Sequence, residues 1–300
     1  MDKFYKGIFF VVVSAICFAL MPIFAEYAYK GGINVITLLF IRFSLAALIL
    51  FVYIFVRVKK IGLSRYNLIV LFILGGVCYT LQSTCYFNSI KYISASLSAL
   101  ILYMYPMIVA VMSLFIDKEK LTIPVIFSII LSLSGLVLTM GFTPERINMP
   151  GVLLALAASL IYSTYIIIGN RAAKNLPSIT ISAFVALFAA LCFLSAGAFT
   201  KSLKFDFSVQ SWIPVLCLVV FSTIIAIFTF FKGLELLGST KASIFSITEP
   251  LFVVVFYFIF FKDSLSLLQA LGAAAILSGA VIVIVFREKA GRHVNISPDL

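Results

Sequence analysis

Charge and histidine are scarce in this sequence, and each scarcity excludes a class of protein. Charged residues make up 11% of the chain against 63% hydrophobic residues, and the mean hydropathy is +1.21, a balance foreign to soluble domains. The single histidine, His293, lies near the end of the chain, and the five cysteines include no C-x-x-C pair. An integral membrane protein without a metal site or a cofactor is therefore predicted.

A complete phosphate-binding loop is also missing. The stretch 233–240 imitates one in its glycines but carries Ser239 where the lysine that contacts phosphate is required. The sequence thus gives no indication of an ATP-driven pump. The apolar segments also hold no histidine and no pair of acids, so a membrane-embedded enzyme remains an alternative without a recognisable catalytic cluster.

Apolar runs recur through the whole chain. A transmembrane helix needs about 20 apolar residues, and the runs fit an all-α integral membrane protein with ten transmembrane helices. Lys and Arg are divided unevenly between the two sides, with fifteen on the side of the termini and six on the other. Both termini are therefore predicted to be cytoplasmic, and the net charge of +11 reflects this bias rather than binding to nucleic acid. The predicted spans are 7–28, 34–57, 67–89, 94–116, 123–141, 150–171, 179–199, 211–232, 241–261 and 267–286.

A repeat relates the two halves of the chain. A shift of 144 residues, without a gap, aligns Gly7 with Gly151 and Pro106 with Pro250. Each half holds five predicted spans, an odd number, so the second half must enter the membrane upside down, as in the inverted repeats of many secondary transporters. From residue 287 onward the polar chain is predicted to be disordered. The predicted units are a first repeat at 1–144, a second, inverted repeat at 145–288 and a cytoplasmic tail at 289–300.

Two prolines interrupt predicted spans at symmetric positions. Pro106 and Pro250 each remove a backbone donor and free the carbonyl four residues earlier, which belongs to Leu102 and to Ser246 respectively. Interrupted helices at matching positions of two repeats indicate a binding site near the middle of the membrane. The alternative is a packing kink in which neighbouring side chains satisfy the carbonyl.

The residues before these prolines are Tyr105 and Glu249, which are also partners under the 144-residue shift. Glu249 is the only acidic residue predicted near the middle of the membrane. Its carboxyl group would either load and release a proton or pair with a cationic group of a substrate. The structural alternative is a permanently protonated acid that bonds to a carbonyl at the kink.

The third predicted span, 67–89, carries a polar and aromatic face that consists of Tyr79, Gln82, Ser83 and Tyr86. The residues on this face recur at helical spacing, which predicts that they line an aqueous cavity. Isolated serines in membrane helices are better explained by hydrogen bonds between helices. With the residues at the kinks and one from the sixth span, the predicted substrate-binding set is Tyr79, Gln82, Ser83, Tyr86, Tyr103, Tyr105, Tyr162, Ser246 and Glu249.

A further charge lies within a span. Arg42 is about 8 residues into its helix, roughly 12 Å along the axis, too deep for an ordinary loop charge. It requires an anionic partner or a cavity. Glu26 is a candidate partner in a gate, and direct binding of a substrate carboxylate by Arg42 is the equal alternative.

Small residues recur in the fifth and tenth predicted spans. Their spacing lets helices approach closely, so they are assigned either to packing within the chain or to the contact of a homodimer. The residues are Ser128, Ser132, Gly135, Gly272 and Gly279.

Together these features resemble the drug/metabolite transporter superfamily, and specifically its EamA-like proteins, over residues 5 to 288. The resemblance implies ten helices with both termini inside, a central cavity between the halves and alternating access, often for export of amino acids or related metabolites. It names no substrate. The residues that carry it are Leu-Phe-Ile-Arg-Phe at 39–43, the start of the fourth span leading to Pro106, Lys241-Ala-Ser leading to Glu249-Pro250, the charged turns at 117–121 and 262–265, and Gly135 and Gly279.

The predicted function is secondary transport and not catalysis. The expected cargo is a small amphipathic solute such as an amino acid, moved outward across the cytoplasmic (inner) membrane, with protons or another ion as coupling partner. Efflux of hydrophobic drugs is the alternative within transport, and a membrane-embedded enzyme is the alternative of another class. The tyrosines of the predicted site would suit a solute with an apolar or aromatic part.

Overall fold

The structure of this protein is a computed structural model that describes residues 2–57, 62–89, 92–93, 95–116, 118, 122–140, 148–261 and 267–294. All regular structure in these ranges is helical. Seven helical stretches are long and apolar enough to cross a membrane, as judged by length and composition. Three shorter apolar helices, Tyr105–Ile116, Ile123–Leu138 and Ala270–Ile282, lie in the fourth, fifth and tenth predicted spans.

The described chain contains fifteen α-helices, two π-helical turns and one 3-10 turn. The π-helical turns are Ile73–Tyr79 and Val220–Ile225, and the 3-10 turn is Val209–Ser211. The α-helices are α1 (Lys3–Ala19), α2 (Met21–Lys30), α3 (Val35–Arg57), α4 (Arg65–Phe72), α5 (Thr80–Ser89), α6 (Ala95–Leu102), α7 (Tyr105–Ile116), α8 (Ile123–Met140), α9 (Met149–Asn175), α10 (Ser178–Phe199), α11 (Trp212–Val219), α12 (Ala226–Leu237), α13 (Ser239–Ser246), α14 (Glu249–Phe261) and α15 (Leu267–Val294).

The 144-residue repeat of the sequence recurs in the helix boundaries. Helix α6 corresponds residue for residue to α13, and α7 begins at Tyr105 just as α14 begins at Glu249. The two π-helical turns also overlap when one is shifted by 144 residues. Such wide turns mark places where a helix departs from regular bonding, often at functional sites.

Close contacts at two glycines follow the same symmetry. A Cβ atom on Gly7 would lie 2.6 Å from the side chain of Leu237, and one on Gly151 would lie 2.9 Å from the side chain of Ile93. Leu237 and Ile93 are themselves 144 residues apart. Glycine at both positions therefore lets a helix start pack tightly on the corresponding segment of the other half.

Helices from the two halves pack in symmetric pairs. Helix α1 packs on α12 and its counterpart α9 packs on α5, while α3 and α10, which are counterparts, pack on each other. Helices α8 and α15 form another pair of counterparts. This arrangement is expected of two repeats related by an approximate two-fold axis, and it interleaves the halves instead of separating them.

The α8–α15 contact uses the small residues singled out in the sequence. Gly135 faces the backbone carbonyl of Gly272, and the Ser128 hydroxyl donates a hydrogen bond to the carbonyl of Gly279 at 2.5 Å. Gly279 in turn lies against Ser132. The stripe therefore packs one helix of the chain on another.

The structure departs from the predicted elements in three places. The first predicted span consists of α1 and α2, which meet at Leu20 just before Pro22, because proline cannot continue the hydrogen bonding of a helix interior. Both π-helical turns are unpredicted. Helix α15 reaches Val294, so the disorder predicted from 287 does not extend over 287–294, where arginine, glutamate, lysine and alanine favour a helix.

Some of the sequence predictions fall beyond the described ranges. Of the charged turn at 117–121 only Lys118 is described, and the turn at 262–265 and the last residues, 295–300, lie outside.

Candidate transport site

The site is built where two interrupted helices meet. Helix α6 ends at Leu102 and α7 begins at Tyr105, while α13 ends at Ser246 and α14 begins at Glu249. The second residue of the helix after each break is a proline, whose ring and missing N–H prevent the regular bond to the carbonyl four residues earlier. Helices α7 and α13 pack on each other, so the two breaks come from opposite repeats and lie at one contact.

The freed carbonyls differ between the two breaks. In the first repeat the Ser159 hydroxyl on α9 donates to the carbonyl of Leu102 at 3.0 Å, so a neighbouring helix satisfies that group. The residue that corresponds to Ser159 in the other repeat is Ala15, which has no hydroxyl group. The packing alternative thus applies to the Leu102 carbonyl, and Ala15 cannot donate the equivalent bond to the Ser246 carbonyl.

Tyrosines surround the Glu249 carboxyl group. The Tyr103 hydroxyl, in the break between α6 and α7, donates to Glu249 Oε1 at 3.2 Å. The carboxyl group also interacts electrostatically with the phenols of Tyr86, Tyr105 and Tyr162. Helices α5, α7 and α9 thus each bring a predicted site residue to this one acid.

Tyr105 connects the two breaks. Its ring is buried, and its hydroxyl lies 3.5 Å from the carbonyl of Ser243 and within bonding reach of the Ser246 side chain. Ser246 itself donates back to the carbonyl of Ala242 at 2.9 Å. Two members of the predicted substrate-binding set, Tyr105 and Ser246, are therefore in contact across the boundary between the repeats.

A continuous series of aromatic rings extends from this point. The centroid of Tyr105 lies 4.8 Å from that of Tyr162, Tyr162 stacks on Tyr165 at 5.9 Å, and Tyr165 lies 6.1 Å from Tyr79. Tyr79 meets Phe43 edge to face at 5.1 Å. These geometries are favourable for aromatic pairs. We call the series Tyr103, Tyr105, Tyr162, Tyr165, Tyr79 and Phe43 the aromatic array.

Sequence reasoning missed two members of this array. Tyr165 follows Tyr162 by three residues and so shares its side of α9, a spacing that would have identified it. Phe43 had no comparable signal, because phenylalanine recurs throughout the predicted spans and no residue of the predicted site lies at helical spacing from it in α3. Only the packing of α3 near Tyr79 distinguishes it.

The predicted polar face of the third span, which begins at Tyr79 in the first π-helical turn and continues in α5, is directed into the bundle. Ser83 is buried, and Tyr79, Gln82 and Tyr86 are partly buried, whereas Leu81 between them is 49% exposed. The π-helical turn before α5 explains part of this orientation. Gly75 within it lies directly against the backbone of Val185 in α10, an approach that no side chain would permit.

The two candidate gating residues, Glu26 and Arg42, have different partners. Glu26 forms an ion pair with Lys30, one turn further along α2, at 3.0 Å. Arg42 instead bonds to Thr223 and Ser222 in the second π-helical turn. Both residues lie in the part of the chain that the structure describes, and no ion pair joins them there.

Comparison with known proteins supports a transport role. The model of the EamA-like transporter family matches the chain twice, at residues 5–141 and 149–285, so the second match begins 144 residues after the first. Two relatives from Bacillus subtilis are named uncharacterized transporters: YetK, 23% identical over 83% of this chain and 78% of its own length, and YcbK, 23% identical over 90% of both. The aromatic amino acid exporter YddG of Ancylobacter novellus is 25% identical over 66% of this chain and 69% of its own length.

A solved structure has the same fold. A crystal structure with 18% sequence identity superimposes with a TM-score of 0.81, covering 95% of this chain and 99% of the other. The resemblance read from the sequence is confirmed by the two family matches, which together span nearly the whole chain. The chain belongs to the EamA-like transporter family and is a multi-pass membrane transporter built from two EamA repeats.

Proposed function

We propose that this protein is a secondary transporter that exports a small amphipathic metabolite, an amino acid or a related compound, across the cytoplasmic (inner) membrane by alternating access. The observation that carries this proposal is the Glu249 carboxyl group, which lies among tyrosines where the interrupted helices of the two repeats meet. A site at such a boundary would open to either side as one repeat moves against the other.

The proposed architecture has ten spans in two inverted repeats, with both termini in the cytoplasm. It is supported by the seven long and three shorter apolar helices, and by the surplus of Lys and Arg on the side of the termini. Inversion follows from the odd number of spans in each repeat. The proposed units remain 1–144, 145–288 and the tail 289–300.

In the proposed site, Glu249 has the central role. Its carboxylate would hold the ammonium group of the solute or carry a coupling proton, and the faces of the surrounding tyrosines would attract the cation and pack on an apolar part. Gln82 and Ser83 on α5 and Ser246 on α13 would supply polar contacts that orient the solute. The aromatic amino acid exporter among the relatives agrees with a solute that has an aromatic ring.

Efflux of hydrophobic drugs is the second candidate. The same buried carboxyl group and the same aromatic array would also accept a flat, hydrophobic cation. The two candidates differ in the polar groups of the cargo, so a panel that contains both kinds of compound separates them.

Flux measured in proteoliposomes tests the proposal. Purified full-length protein is reconstituted into vesicles loaded with labelled aromatic amino acids, aliphatic amino acids or ethidium, and exchange is followed under proton and sodium gradients. We expect exchange of an amino acid and little exchange of the dye. Absence of flux for every compound under every gradient would overturn the transport proposal.

A Glu249→Gln variant tests the role of the acid. We expect it to lower the rate of amino acid flux at least tenfold, since a bond to a charged group contributes about 1.5–3 kcal/mol. Glu235→Gln is the matched control, because Glu235 in the same repeat pairs with Lys232 at 2.7 Å and lies outside the site. If flux in the Glu249→Gln variant keeps the pH dependence of the wild type, Glu249 is not the group that carries a proton.

A further inference from the structure

Within the described residues, Arg42 is a buried cation whose hydrogen-bond partners are all uncharged. Its side chain lies in α3 and the residue is 2% exposed. Nε donates to the Thr223 hydroxyl at 2.5 Å, Nη2 to the carbonyl of Ser222 at 2.6 Å, and Nη1 to the thioether sulfur of Met21 at 3.0 Å. A thioether is a weak acceptor, so one edge of the guanidinium fork is poorly satisfied.

No anion compensates this charge in the described part of the chain. Glu26, the candidate partner, is engaged with Lys30 at side-chain exposures of 39% and 61% respectively. An unpaired charge taken out of water costs several kcal/mol. A guanidinium group fits a carboxylate with two parallel bonds, and Met21 occupies one of the positions that a carboxylate oxygen would take.

The fold does not require a cation at this position. The residue that corresponds to Arg42 in the second repeat is Ala186, which is also fully buried. There, the neighbouring Val185 packs its backbone directly against Gly75 in the first π-helical turn. The equivalent interface thus closes by backbone contact alone, so the charge of Arg42 calls for an explanation beyond packing.

Arg42 also adjoins the aromatic array of the proposed transport site. Its guanidinium group lies 4.9 Å from the ring centre of Phe43, the last member of the aromatic array, whose first member, Tyr103, bonds to Glu249. Arg42 also interacts electrostatically with Tyr29, which is 38% exposed. The cation therefore adjoins the row of rings that leads to the acid.

We propose that Arg42 binds the carboxylate of the transported solute in place of the Met21 sulfur, so that the transporter selects solutes that carry both a carboxylate and an amine. The inference rests on the proposed function. Glu249 receives the ammonium group at the helix breaks, and Arg42 receives the carboxylate at the other end of the array, at a different stage of the passage. The rings of the array contact the apolar part between these stages.

Equilibrium binding in detergent tests the inference without requiring flux. The probe is labelled L-phenylalanine, and its neutral-carboxyl analogue L-phenylalanine amide serves as competitor. Wild type should prefer the acid over the amide, and Arg42→Gln should reduce that preference about 10- to 100-fold, as expected for loss of a bond to a charged group. Arg42→Lys should keep part of the preference, because it keeps the charge and loses the fork.

Two further variants distinguish a loss of binding from a folding defect. Thr223→Val removes an uncharged partner of Arg42 but keeps the guanidinium group, so it should retain the preference for the acid. Met21→Leu removes the competing sulfur and should strengthen binding of the acid relative to the amide. This measurement tests the proposal even if Arg42→Gln does not fold.

The outcomes separate the two proposals. The role of Arg42 would be overturned if the wild type bound acid and amide equally or bound neither. It would also be overturned if Arg42→Gln weakened binding of both equally and Met21→Leu gave no gain for the acid. Retained preference for the acid with no flux in proteoliposomes would instead overturn the transport proposal and leave the carboxylate site in place.

Discussion

Substitution of Gly135 by alanine tests the contact between α8 and α15. A Cβ atom at this position would lie 2.6 Å from the carbonyl oxygen of Gly272 and 2.9 Å from the backbone nitrogen of Ile276. Both atoms belong to the backbone and cannot rotate away, so the helices must separate. Overpacking of this kind costs typically about 1–3 kcal/mol.

Helix propensity offsets part of that cost. Alanine is better than glycine in a helix interior by about 1 kcal/mol. Because the clash is with backbone atoms, we place its cost in the upper part of that range, about 2–3 kcal/mol, so the expected net loss is about 1–2 kcal/mol. In a large chain each kcal/mol lowers the melting temperature by about 2 °C or slightly more, which gives a decrease of roughly 2–5 °C for Gly135→Ala. The measurement is thermal unfolding of the purified protein in detergent.

The adjacent Ser134 provides a matched control. It is exposed, and its hydroxyl group donates to the carbonyl of Ile130 in its own helix, so Ser134→Ala should leave the melting temperature nearly unchanged. A Gly135→Ala variant as stable as wild type and Ser134→Ala would refute the packing argument. A change in oligomeric mass without a loss of stability would instead assign the glycine stripe to an interface between copies of the chain.

Three further outcomes are expected. Ser159→Ala should lower thermal stability by about 1–3 kcal/mol, since it leaves the carbonyl of Leu102 without its donor, whereas Thr164→Ala, which loses only a bond within α9, should change it little. Glu26→Gln should alter stability by less than about 1 kcal/mol because its pair with Lys30 is exposed; a large loss of flux in that variant would favour a gating role for the acid. A green fluorescent protein fused to the C-terminus should fluoresce in cells, and a dark fusion that is present in the membrane would contradict a cytoplasmic C-terminus.

The positions of the helix breaks are readable from the sequence. Proline forbids a regular helical bond wherever it stands in a helix interior, so Pro106 and Pro250 locate the breaks without knowledge of any neighbour. The polar face of α5 is similarly local, because residues three and four apart share one side of a helix. Of the tyrosines around Glu249, Tyr103 and Tyr105 follow from the first rule and Tyr86 follows from the second.

The partners of Arg42 are not readable in this way. Its contacts Thr223 and Ser222 lie about 180 residues away in sequence, and they are available because a π-helical turn interrupts the helix in which they lie. Glu26 was the candidate because of its position near the end of the first span, yet it pairs with Lys30, one turn along the same helix, in an exposed ion pair. Which acceptor a long side chain reaches depends on the rotation and depth of separate helices.

By itself, then, the sequence determined the membrane character, the repeat and the helix breaks, because hydropathy, internal similarity and the geometry of proline act along the chain. Tertiary structure alone decided that Phe43 completes the aromatic array, that the glycine stripe closes α8 on α15 and that Arg42 has no anionic partner among the described residues. Each of these depends on how two helices far apart in sequence are rotated against each other, and local sequence patterns do not determine that rotation.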